Sequence, residues 1–321
     1  GGDQAVSLKL LIVVGTRPEA IKLAPVVREC RRREGIDLTV CTTGQHRDLL
    51  QSECGIQDFA RDMGVMGDDQ PLSVTTARCL EGIDRAIQDY QPDVLVAQGD
   101  TATVFAAATA AFYRRVPLVH VEAGLRTHDM QDPWPEEMIR VHADRLADLC
   151  CAPTYADEYN LRKEGIPQGR IVHTGNTIVD EIEYLRQSWG PTEPADGRLV
   201  LVTCHRRENF GGGLRRVCGA VVALANAFPG VEFIWPLHPN PNVSGVVPSL
   251  VAGSLNIRTI PPVGHAAVLA ILSRAELVLT DSGGLQEEAP SFGKPVVVLR
   301  EKTERTLTVE AGNAFLCGTD E

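Results

Sequence analysis

A surplus of positive charge is missing from this chain. Its 31 Lys and Arg face 42 Asp and Glu, a formal net charge of -11 at pH 7. A broad basic surface for a polyanion is therefore not expected, so neither nucleic acid nor an anionic membrane is expected as a partner. A small anion stays compatible with that balance, because a few arginines and a helix N-terminus suffice to hold one. No apolar run approaches the roughly 20 residues of a membrane span, and no stretch reads as a signal peptide. The Ala-rich run 104–113 is too short to cross and reads as a packed helix. The nine cysteines are odd in number and include no CxxC pair. Buried free thiols in a reducing, cytoplasmic compartment are the expectation.

Further absences narrow the chemistry. The turn Gly15-Thr16-Arg17-Pro18 has the spacing of neither the Walker loop nor the dinucleotide fingerprint, which removes support from ATP and nicotinamide readings. There is no metal-ligand spacing and no GxSxG nucleophile elbow. Neither a metal nor an organic cofactor is expected.

What is present is a repeated strand, loop and helix grammar over 321 residues, a length that suits two domains. Leu8–Val14 reads as a strand, apolar throughout except for Lys9, as a strand buried on both faces requires. A turn follows, Pro18 suits a first helical turn, and Ala20, Leu23, Ala24, Val27 and Cys30 fall on one helical face. Residues 93–97 and 116–121 read as further strands. A polar, Pro-containing stretch, 187–198, reads as a linker. Strands are then expected at 199–203, 231–236, 255–260, 277–280 and 295–299, with a helix over 214–228. Two such series predict an α/β fold of two Rossmann-like domains with parallel sheets facing a cleft, the first ending near residue 176 and the second spanning 177–321. Ligands in such sheets bind beyond the carboxyl ends of the strands.

Polar residues gather at those strand ends. In 277–291 a buried strand runs into Asp281-Ser282-Gly283-Gly284 and then Leu285-Gln286-Glu287-Glu288. The two glycines let a phosphate approach backbone N–H groups, Ser282 adds a donor, and Glu288 can accept from ribose hydroxyls. A plain strand-to-helix turn with a helix-start carboxylate reads equally well. The loop from Thr203 brings His205, Arg206 and Arg207 to another strand end, which suits a diphosphate leaving group. The alternative is a solvated basic loop. In the first half Asp100, Glu122 and Glu136 stand at strand ends or in turns. Acid–base work at carbon needs an acid and a base with separated pKa values, which three such carboxylates can supply. Singly, each also reads as a cap or ion-pair partner, and Asp100 as the cap of a helix starting at Thr101. Arg17 and Lys22 accompany the first turn. His46 and His238 read as structural or binding histidines alike.

Taken in order, GTRPEAIKLAP (15–25), TGQHRDLL (43–50), QGDTATV (98–104), HVEAGLRT (120–127), PWPEE (133–137), TGNTIVD (174–180), HRRENFG (205–211), HPNPNV (238–243), TDSGGLQEEAPSFGKPVVVLR (280–300) and TER (303–305) resemble the non-hydrolysing UDP-N-acetylglucosamine 2-epimerase family. The resemblance covers nearly the whole chain. It implies a glycosyltransferase-B-type fold, a UDP-sugar substrate and a homodimer. It implies Arg17, His205, Ser282, Gly283, Gly284, Glu288 and Arg305 as UDP ligands. Lys22, Asp100, Glu122, Glu136 and His205 become the catalytic set. Gln45, His46, Arg78 and His238 match a regulatory site at which a second UDP-sugar acts as allosteric activator. The implied reaction removes the C2 proton, expels UDP to leave a 2-acetamidoglucal, and re-adds UDP after protonation of the opposite face. Cys204, Ile139 and Thr306-Leu307 depart from the family pattern.

Overall fold

The protein was studied as a computed structural model. It describes residues 7–44, 61–65, 70–189, 198–303, 305, 309 and 311–319. The chain divides into two compact units, Gly1–Glu181 and Ile182–Glu321. The division falls inside the helix Thr177–Ser188. The stretch read as a linker is thus helical at its start, and most of it lies outside the described residues.

The first unit holds a seven-stranded sheet in the order β3-β2-β1-β4-β5-β6-β7. Its strands are β1 (Leu8–Val14), β2 (Ile36–Thr42), β3 (Arg61–Asp62), β4 (Val94–Gln98), β5 (Leu118–Val121), β6 (Leu149–Ala152) and β7 (Ile171–His173). Every pairing is parallel. Parallel sheets are covered on both faces, which is why Leu10–Val14 of β1 is an unbroken apolar run, with Lys9 at the exposed start. Leu11, Ile12 and Val14 are fully buried, each burial contributing about 1.5–3 kcal/mol. The helix Ala102–Arg114 packs between Leu72–Tyr90 and Glu136–Leu146. Its buried alanines at 106, 107, 108, 110 and 111 let three helices approach closely. A larger side chain among them would cost about 1–3 kcal/mol by overpacking.

The second unit repeats the plan with six strands ordered β10-β9-β8-β11-β12-β13. These are β8 (Arg198–Thr203), β9 (Val231–Pro236), β10 (Ile257–Ile260), β11 (Leu277–Thr280), β12 (Val296–Val298) and β13 (Ala314–Leu316), all paired in parallel. Trp235, Val202 and Val243 are buried in its core. In each unit the strand order reverses beside the first strand, at β1/β4 and at β8/β11. Such reversals open a crevice beyond the strand ends, because the flanking connections depart to opposite faces. Among the described residues no helix is long and apolar enough to cross a membrane.

Candidate active site

The first unit's reversal collects three turns: 15–17 after β1, 99–101 after β4 and 122–127 after β5. Glu19 ties the first two together. Its Oε2 accepts from Gly15 N at 2.5 Å and Thr16 N at 2.9 Å, and its Oε1 from the Thr101 hydroxyl at 2.5 Å. With Thr16 it also forms the capping box that starts the helix Arg17–Arg32. Burial pushes the Glu19 carboxyl up to about 7 against those hydrogen bonds, and Asp100 adds to the rise.

Lys22 and Glu122 meet. Lys22 Nζ donates to Glu122 Oε1 at 2.5 Å, both side chains being about nine-tenths buried. The Gln98 amide donates to the other oxygen of Glu122. Glu122 adopts φ +69°, a left-handed conformation that costs a non-glycine residue about 1–3 kcal/mol. The turn is closed by Gly124 at φ +93°, where a Cβ would lie 2.4 Å from the Asp157 carbonyl oxygen. Only glycine fits that approach.

Asp100 does not cap the following helix, whose N-cap is Thr101. Its Oδ2 instead accepts from Arg140 Nε at 2.8 Å and Nη2 at 2.7 Å. Arg140 also donates to Glu137 Oε2 at 2.9 Å, and Glu137 Oε1 accepts from the backbone of Thr127 and His128. Burial works against the Arg140 charge, and Asp100 and Glu137 more than offset it, so its proton is held more tightly than usual. Glu136 opens the helix Glu136–Leu146, and its Oε2 is buried with no hydrogen-bond partner. A buried carboxylate oxygen without a donor is costly.

The second unit's reversal is organised by Asp281, which is fully buried. It accepts from His205 N at 2.9 and 3.0 Å, Arg206 N at 2.8 Å and Asn209 Nδ2 at 2.9 Å, fixing the loop after β8 onto the loop after β11. The His205 ring stacks on His238 with centroids 5.1 Å apart. A Cβ on Gly283 would lie 3.2 Å from Arg305 Cζ and 3.4 Å from Arg206 Nη2, so two guanidinium groups lie over that glycine. Burial lowers the proton affinity of Arg206, and the charges of Arg300 and Arg305 lower it further. Ser282 is the N-cap of the helix Gly283–Glu288. Gly284 follows there, and Glu288 Oε1 pairs with His265 Nε2 at 2.9 Å. Arg305 also bonds Glu287 at 2.9 Å.

Arg17 is the first residue of the helix Arg17–Arg32 at the β1 turn, and Arg78 is exposed on Leu72–Tyr90. Gln45 and His46 lie outside the described residues. Sequence reasoning gave no role to Glu19, Arg140, Asp281 or Arg300. The Thr16-x-x-Glu19 spacing was the one local signal; the others act through partners distant in the chain.

Carboxylates gathered at one reversal and guanidinium groups at the other, on two parallel α/β sheets, give the class: an α/β protein with polar residues at the strand ends. A family model for UDP-N-acetylglucosamine 2-epimerase matches residues 28–321. The UDP-N-acetylglucosamine 2-epimerase of Yersinia pestis is 41% identical over 328 residues, spanning 98% of this chain and 87% of its own. That of Escherichia coli is 39% identical over 329 residues, spanning 98% and 88%. The crystal structure of the Neisseria meningitidis UDP-GlcNAc 2-epimerase bound to UDP-GlcNAc matches with a TM-score of 0.89 at 38% identity, over 98% of this chain and 88% of that one. The Methanocaldococcus jannaschii enzyme in complex with UDP-GlcNAc and UDP gives 0.84 at 32%, over 98% and 90%. The chain belongs to the UDP-N-acetylglucosamine 2-epimerase family.

Proposed function

We propose that this chain interconverts UDP-GlcNAc and UDP-ManNAc without hydrolysis, through elimination and re-addition of UDP. A carboxylate takes the C2 proton, the electron pair forms the C1–C2 double bond, and the C1–O bond to the diphosphate breaks. UDP and 2-acetamidoglucal result. A proton delivered to the opposite face of C2 and return of the UDP oxygen to C1 complete the inversion.

The observation that carries this reading is the crowding of Arg206 and Arg305 over Gly283, with the charge of Arg300 also acting on Arg206. The C2 proton is weakly acidic, so elimination depends on stabilising the departing diphosphate. Clustered guanidinium groups are suited to a polyanion, although Arg300 and Arg305 also face Glu208 and Glu287. Ser282, Gly283 and Gly284 add donors, Glu288 addresses the ribose, and His205 protonates the leaving oxygen. Asp100, Glu122 and Glu136 handle the C2 proton. Lys22 holds Glu122, and Arg17 joins the UDP ligands. The intact Gly15-Thr16-Arg17-Pro18-Glu19 turn supports the non-hydrolysing form. Retaining both fragments requires that water be excluded while they are apart.

Product analysis tests this. UDP-GlcNAc incubated with the protein and separated by anion-exchange chromatography should yield UDP-ManNAc, with only traces of UDP. Stoichiometric release of UDP and free ManNAc would instead mark a hydrolysing enzyme.

A further inference from the structure

His120 lies on β5, two residues before Glu122, and is completely buried. Its Nε2 is 2.8 Å from the Gly99 carbonyl oxygen, and its Nδ1 is 2.6 Å from Asp144 Oδ1. A carbonyl can only accept, so Nε2 carries a proton. Asp144 is itself fully buried, and its Oδ2 accepts from Arg126 at 2.7 Å and from Gly124 N at 3.1 Å. Those two donors hold Asp144 as a carboxylate, so Nδ1 must donate as well. Both ring nitrogens are therefore protonated, and the ring is an imidazolium out of reach of water. Burial opposes this charge, while Asp144, the Gly99 carbonyl and Glu122 together outweigh burial and raise its proton affinity. Arg126 is further held by Glu164 at 2.7 Å, so the charged chain runs from the strand out to the helix end.

A merely structural histidine needs one donor and one acceptor. This one donates twice, to groups flanking both proton-handling turns. The Gly99 carbonyl is the backbone immediately before Asp100. Gly124 N, which Asp144 accepts from, closes the turn that holds Glu122 at φ +69°.

We infer that His120 is a positioning residue of the epimerase reaction, a permanently charged imidazolium that fixes the Asp100 turn and favours the anionic form of Glu122. The inference rests on the reading that Asp100 and Glu122 handle the C2 proton. It differs from the roles of His205, which acts on the leaving group.

Two measurements test it. In wild-type protein labelled with 15N in its histidines, both ring nitrogens of His120 should resonate as imidazolium well above the ordinary histidine pKa of about 6.5. A ring nitrogen at the neutral, unprotonated position near pH 7 overturns the inference, whatever the enzyme's activity. His120→Asn should lower kcat for C2 exchange by about tenfold or more while leaving KM within about threefold. Losing a positive charge raises the proton affinity of nearby carboxyls, so the pH–rate profile should move to higher pH. An unmoved profile with kcat intact overturns the positioning role. Should that variant fail to fold, the wild-type spectrum decides alone. Absence of any C2 exchange in wild-type protein would sink the epimerase reading while leaving the His120 charge directly measurable.

Discussion

Glu19 shows how one residue can join two turns and report on pH. Its carboxyl rises from an ordinary 4.5 to about 7, chiefly through burial. The native chain therefore binds this proton more tightly than the unfolded one. The resulting stabilisation is fully present below pH 4.5, falls as pH rises to about 7, and is constant beyond. Glu19→Gln mimics the protonated acid: its oxygen accepts from Gly15 and Thr16, and its amide donates to Thr101. Urea unfolding across that window should show the wild type losing on the order of 3 kcal/mol relative to the variant. Parallel stability curves would show that folding leaves the Glu19 pKa unshifted. The capping role was legible in Thr16-x-x-Glu19. The bond to Thr101 was not, because it joins residues 82 positions apart.

At the scale of elements, β1, β9 and β11 occupy the largely apolar runs that mark them, because the covered part of a parallel strand is apolar, with Lys9 and Glu232 near the exposed starts of β1 and β9. β2 (Ile36–Thr42) alternates with Asp37 and Thr39, and β6 and β13 have only four and three residues, so none carried a clear signal. That polar and charged residues would gather at strand ends was legible from the parallel grammar. Which charges meet there was not: Arg140 reaches Asp100 across 40 residues and Asp281 reaches His205 across 76. The loops after β8 and β11 yield a direct prediction. Arg206→Met keeps an unbranched apolar stem and removes the repulsion with Arg300 and Arg305. Thermal unfolding without ligand should be unchanged or slightly raised. Calorimetry should show UDP binding weakened by about 10–100-fold, the scale of a lost charge-assisted hydrogen bond or two. Unchanged UDP affinity would move the diphosphate elsewhere.

For the whole molecule, the proposed reaction assigns proton transfer at C2 to residues of the first unit and departure of UDP to residues of the second. Neither half of that chemistry accounts for epimerisation alone. Asp100→Asn, Glu122→Gln and Glu136→Gln should each slow turnover by about 10²-fold or more, the usual scale of acid–base catalysis. The most direct measurement is NMR of UDP-GlcNAc incubated with the protein in D2O. Elimination and re-addition predict deuterium at C2 of both UDP-GlcNAc and UDP-ManNAc, at a rate that follows those carboxylate variants. UDP-ManNAc formed with its original C2 proton fully retained would contradict the account.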